Sequence, residues 1–168
     1  MKTSKGLTLV ELMVAMAVFA ILAAVALPSL ATLQNAIRAD SKIREIDALA
    51  KLARSYAISY GVRVTLCPIE NSCCSDNWAS GFSLFTDTGT TSCLDGTDRI
   101  IQTFPAIDPS DTLQFSRRSL RFLPEGLASG SNGTFKFCAG SPSGDHGKSL
   151  IISNAGRIRL GQEKVSCE

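Results

Sequence analysis

The sequence contains one histidine, His146, which excludes a metal site built from several imidazoles. It has no C-x-x-C pair. Two of its six cysteines, Cys73 and Cys74, are adjacent, so the ligand spacing of a zinc ribbon is missing. An excess of one charge is also absent. Lys plus Arg is 17 and Asp plus Glu is 15, a formal +2. Bulk charge of that size does not hold a polyanion, so any nucleic-acid role needs a local patch. Enzyme motifs fail too. Gly147-Lys148-Ser149 imitates the end of a phosphate-binding loop, but its first glycine falls on Pro142. No G-x-S-x-G elbow occurs. His146 lies among Gly, Ser and Pro, the setting of a solvated imidazole. Asp87, Asp95 and Asp98 flank Gly89 and Gly96 without calcium-loop spacing, and read as turn chemistry. No cofactor and no metal are expected, and the chain reads as a non-enzyme.

The chain has 168 residues, 45% of them hydrophobic and 19% charged. That is too apolar for a disordered chain and too polar for a polytopic membrane protein. The apolar residues concentrate at the start. From Leu7 to Leu27 only Glu11 is charged, and a helix of that length spans a bilayer. Lys2 and Lys5 precede it, which holds that end in the cytoplasm and sends the rest across. An ordinary signal peptide shares the basic start and the apolar middle. Here the span is longer, no small-x-small cleavage site follows, and a helical pattern continues past Pro28.

Leu30, Leu33, Ile37, Ile43, Ile46, Ala50, Ala53 and Ala57 recur in steps of three, four and six, which predicts one face of an amphipathic helix. Pro28 is expected to kink it and Gly61 to stop it. From Leu7 to Tyr60 that helix measures about 80 Å. After Gly61 the pattern turns β-like at 63–67, 82–85, 99–104, 119–123, 134–138, 149–152 and 157–160, with turn residues between. The expected fold is α+β, a long N-terminal helix packed on an antiparallel β-sheet head. The expected divisions are a leader at 1–6, a transmembrane helix at 7–28, an amphipathic half at 29–60 and a head at 61–168. Trp78 and Phe82 are expected in the head core.

All six cysteines lie in the head, and an even count in an exported head reads as disulfides. Cys138–Cys167 is the preferred pair, clipping the C-terminal tail to a strand. Cys67 then pairs with Cys73 or Cys74, leaving Cys93 for the other. Charge is uneven along the head. Residues 61–110 carry two positive and six negative side chains, residues 111–168 eight and five. The basic set includes Arg117, Arg118, Arg121, Lys136, Lys148, Arg157, Arg159 and Lys164. On a strand, Arg157 and Arg159 share one face, with Ile158 and Leu160 on the other. Two such guanidiniums suit a nucleic-acid backbone without sequence readout. On these residues alone a solvated outer face of a C-terminal hairpin is the favoured reading, because two arginines are weak evidence.

Lys5-Gly6-Leu7-Thr8-Leu9-Val10-Glu11-Leu12 resembles the prepilin signal of type IV pilins and type II secretion pseudopilins. The resemblance implies cleavage by a prepilin peptidase between Gly6 and Leu7 and methylation of the Leu7 amine. It places Glu11 fifth in the mature chain, where it pairs with the Leu7 amine of a neighbouring subunit, and Pro28 at the usual twenty-second position. Leu7 stands where phenylalanine is commoner. Val64 to Pro68, Trp78, Gly81, Asp87, Phe135 to Cys138 and Gly156 to Arg159 are similar to the FimT/FimU minor pilins, with the pseudopilin GspH as relative. This implies a pilin-like fold and a minor pilin of the inner membrane, its head in the periplasm, priming or tipping a pilus with other pilins. The Gly156-Arg157-x-Arg159 motif implies DNA binding for uptake, with Lys148 and Lys164 nearby in the basic set. The alternative is a GspH-like pseudopilin of a secretion machine without a DNA role.

Overall fold

The computed structural model describes residues 8–140, 147–162 and 165–167. Helix α1 runs from Leu9 to Tyr60. Thr8 precedes it and Glu11 follows three residues on, the reciprocal arrangement of a capping box. The Thr8 amide and hydroxyl both donate to Glu11 Oε2 at 3.2 Å, and the Glu11 amide donates to Thr8 Oγ1 at 3.3 Å. The helix is assigned without a break through Pro28. The proline ring, and with it the expected kink, lies outside the described residues. At the far end Gly61 takes φ +63° and the Val62 amide bonds the Ala57 carbonyl, closing the last turn as a glycine C-cap does.

The chain divides into two units, Met1–Asn35 and Ala36–Glu168. In the first, helix residues such as Leu9, Met16 and Phe19 are exposed. The helix is long and apolar enough to cross a membrane by length and composition.

The second unit contains the rest of α1 and, among the described residues, ten strands. Its helix face buries Ala39, Ile43, Ile46, Ala50, Ala53 and Ala57. Four of these six are alanines, whose small side chains let the helix lie close to what it packs on. The stripe predicted from the sequence starts later than expected. Ile37, in this unit, and Leu30 and Leu33, in the first, are exposed, and burial begins at Ala39.

One antiparallel sheet has the order β5-β4-β1-β7: β1 is Val64–Cys67, β4 Phe82–Thr86, β5 Ile100–Phe104 and β7 Leu120–Phe122. The second has the order β10-β9-β8-β6: β6 is Thr112–Phe115, β8 Gly133–Cys138, β9 Lys148–Ile152 and β10 Ile158–Leu160. A small hairpin pairs β2 (Ile69–Glu70) with β3 (Cys73–Cys74). Its loop, Asn71-Ser72, has φ of 50° and 65°, both positive as a tight two-residue hairpin turn requires.

The core is aromatic. Trp78 meets Phe115 and Phe135 edge-on at 5.3 and 5.0 Å, and its indole N–H donates to the Arg117 carbonyl at 3.1 Å. Phe115 stacks on Phe135 and Phe82 on Phe104. Each such ring removed from water stabilises the fold by about 1.5–3 kcal/mol.

Strand β1 is buried on both faces. Val64 and Leu66 face the core, whereas Thr65 donates its hydroxyl to Asp87 Oδ2 at 2.6 Å. Asp87 is fully buried, accepts the Ser92 amide and pairs with Arg63 at 3.3 Å. It is therefore an internal anchor for the β4–β5 connection.

Candidate functional site

The segment from Ser153 to Leu160 builds the C-terminal edge of the second sheet. After β9 the chain turns back: the Gly156 amide bonds the Ser153 carbonyl at 2.9 Å, and the Arg157 amide bonds Ser153 Oγ at 3.2 Å. Gly156 sits at φ +73°, in the left-handed region. It is buried, and a Cβ there would collide with the Gly126 carbonyl oxygen and lie 2.9 Å from Arg54 Nε. Arg54 donates that Nε to the Gly126 carbonyl at 3.0 Å. The β9–β10 turn, the Pro124–Gly126 turn and α1 thus meet at one point that admits only glycine. The Ala128 amide bonding the Asn154 carbonyl at 2.9 Å ties the same turns together.

This junction sets the two arginines. Ile158 and Leu160 pack against the core, and Arg157 and Arg159 are both exposed. They line different depressions. Arg157 borders one of about 380 Å³ with Lys51, Arg54, Ser55 and Ile58 of α1. Arg159 borders another of about 350 Å³ on the sheet, with Thr134, Ser149, Ile151 and Val165. The alternation predicted for 157–160 puts both on one face; in the structure the strand begins only at Ile158, directly after the positive-φ glycine. Lys51 and Arg54 are not among the residues the sequence singles out for this site.

The other predicted basic residues are elsewhere. Lys148 opens β9, beyond the Leu150–Leu160 pair, and its charge helps depress the Asp40 carboxyl, which the hydrogen bond from Arg44 lowers most. It does not join Arg157. Lys136 donates to the Ser166 carbonyl at 3.3 Å. Gly6, Leu7 and Lys164 lie outside the described residues.

The cysteines form Cys67–Cys74, Cys73–Cys93 and Cys138–Cys167, with Cα separations of 5.5, 3.8 and 6.2 Å. The adjacent pair thus reaches outward in two directions. The third bridge holds the tail to β8, helped by Gln114 donating to the Cys167 carbonyl at 3.0 Å. Replacing Cys138 and Cys167 together by serine is expected to cost about 3.5 kcal/mol, the loop-closure value for a bridge of this span. Thermal unfolding followed by circular dichroism should show a midpoint lower by roughly 7–14 °C. An unshifted midpoint would mean the tail is not held by the bridge.

The acidic side chains gather far along the chain from this edge, in the β4–β5 connection. Asp95 accepts the Thr97 hydroxyl at 2.6 Å and the Thr97 and Thr90 amides at 2.9 Å. These bonds, the Thr97 hydroxyl first, lower its pKa to about 2. Asp98 accepts from the Thr88 and Asp95 amides. Their oxygens serve the turn itself, as the spacing suggested.

The described geometry is a helix and two antiparallel sheets with a basic C-terminal edge and a cap at the start of an apolar helix. The family model described as Type II transport protein GspH matches residues 42–156. The chain belongs to the GspH family. The prokaryotic N-terminal methylation motif matches residues 1–27, so leader and apolar start belong to the same signal. Two crystal structures of the type IV minor pilin FimU of Pseudomonas aeruginosa (strain PAO1), in space groups P21 and P65, share the fold. Their TM-scores are 0.62 and 0.60 and their identities 22% and 23%. They cover 78% and 77% of this chain, and 96% and 99% of their own. No curated protein matches the chain. The GspH-family protein is thus a minor pilin or pseudopilin with the pilin-like α+β fold. Its methylation motif and apolar helix fit anchoring in the inner membrane.

Proposed function

We propose that this protein is a minor subunit of a type IV pilus whose head binds the backbone of DNA. A prepilin peptidase cuts between Gly6 and Leu7 and the Leu7 amine is methylated. The first half of α1 holds the chain in the inner membrane, with the head in the periplasm, until it joins other pilins to prime or tip the filament. It is a structural and binding subunit, not an enzyme. The observation carrying the DNA reading is the exposed pair Arg157 and Arg159, presented by a turn that Gly156 locks against α1.

Two guanidiniums contacting phosphates give affinity without sequence preference. The double variant Arg157→Gln, Arg159→Gln should therefore weaken binding of unrelated DNA sequences alike. The slope of log affinity against log salt should flatten by about two units. Full-length protein in detergent, titrated with fluorescent duplexes at several salt concentrations, measures both. Absence of binding by the wild type at low salt makes the edge a solvated hairpin face. The second reading is a pseudopilin of a type II secretion machine, favoured by the description of the matching family model. Deletion separates the two: pili are lost in one case, protein secretion in the other.

A further inference from the structure

The depression between α1 and β10 carries more positive charge than the C-terminal motif supplies. Lys51 and Arg54 reach it from the helix and Arg157 from the strand, over a floor that includes Ile58, Gly156 and Ile158. Arg54 is half-buried, and its Nε is committed to the Gly126 carbonyl. Its two terminal nitrogens have no hydrogen bond among the described residues. Lys51 is exposed and paired with Asp47 at 2.6 Å. Positions 47, 51, 54 and 58 lie along one helix face by their spacing of three and four. Gly156 lets the β9–β10 turn press against the Gly126 carbonyl and Arg54, which holds Arg157 beside the helix.

We propose that helix α1 supplies the second half of the DNA site. One backbone phosphate sits between Lys51 and Arg54 on the helix and Arg157 on the strand, and a neighbouring phosphate lies against Arg159 across the edge. This rests on the DNA reading above and names residues that the Gly-Arg-x-Arg motif does not contain. Arg54 has two roles: it holds the Gly126 and Gly156 turns through Nε and offers its outer nitrogens to the phosphate. Planar guanidiniums and a lysine ammonium are the side chains suited to phosphate oxygens. Asp47 opposes binding, because it neutralises Lys51 in the free protein.

Full-length protein in detergent is titrated with a random-sequence duplex at several salt concentrations. Lys51→Gln should weaken binding by roughly fivefold at low salt and lower the salt slope by about one unit. Asp47→Asn, which removes the competing carboxylate, should tighten it. Arg54→Gln should weaken binding and lower thermal stability together, whereas Lys51→Gln should leave the melting midpoint in place. If Lys51→Gln and Asp47→Asn both bind as the wild type does while the Arg157 and Arg159 variant is impaired, the helix half is wrong and the DNA reading stands. If the wild type binds no duplex, both fall. Phosphatidylglycerol vesicles that displace the duplex at equal phosphate would make this a lipid-headgroup site and overturn the proposal.

Discussion

Gly156→Ala is expected to unfold the head several degrees earlier and to lose DNA affinity with it. Gly156 has φ +73°, a conformation that costs an L side chain about 1–2 kcal/mol. The new methyl also meets the Gly126 carbonyl oxygen, a backbone atom that cannot rotate away, and Arg54 Nε at 2.9 Å. Relieving the collision separates the turns and breaks the Arg54–Gly126 hydrogen bond, at about 1–2 kcal/mol more. The sum, about 3 kcal/mol, lowers the melting midpoint by roughly 6–12 °C in a chain of this size. Gly130→Ala is the control. Gly130 has nearly the same φ, +76°, but nothing within 4 Å of an added Cβ. It should show the conformational cost alone, about 1–2 kcal/mol. Equal shifts for the two variants would mean the close approach at Gly156 contributes nothing. The glycine of the Gly-Arg-x-Arg motif would then have no special structural role.

The sequence made the architecture legible because its signals are local. The apolar run, the 3.6-residue face from Ile43 to Ala57 and the alternating strands all act within a few residues of chain. What it hid depends on distant contacts. Strand β6 is four residues, Thr112–Phe115, between Asp108-Pro109-Ser110-Asp111 and Ser116-Arg117-Arg118, so turn residues outweighed its two apolar positions. Phe115 becomes a strand residue because Phe135 and Trp78 are there to receive it. The Ile69–Cys74 hairpin was hidden in the same way, its pairing reinforced by Cys67–Cys74 and Cys73–Cys93. Lys51 and Arg54 carried no motif signal at all. Only the fold sets them beside Arg157, more than a hundred residues away. The Thr8-x-x-Glu11 capping box, by contrast, is a local signal, and it falls on the glutamate that the prepilin signal also uses.

Two roles for Glu11 therefore compete, and they predict different results for Glu11→Gln. As a cap, Glu11 bonds the Thr8 amide and hydroxyl, and glutamine serves at that position as well. As an assembly residue, Glu11 pairs its charge with the Leu7 amine of a neighbouring mature subunit inside an apolar filament core. An amide does not replace that charge. Removing one partner of a buried ion pair leaves the other uncompensated, at about 3–5 kcal/mol. We expect incorporation into pili to fall by about tenfold or more for both Glu11→Gln and Glu11→Ala. Membrane insertion should persist, because a neutral side chain enters the bilayer more readily than a carboxylate. Immunoblots of sheared pili against membrane fractions measure the ratio. The mass of the extracted protein shows in the same samples whether the chain begins at a methylated Leu7. Normal incorporation of Glu11→Gln with failure of Glu11→Ala would make the capping box the whole function of Glu11. Normal incorporation of both would remove it from assembly. A chain still beginning at Met1 would leave no free Leu7 amine for the pair, and the docking role would fall with the cleavage.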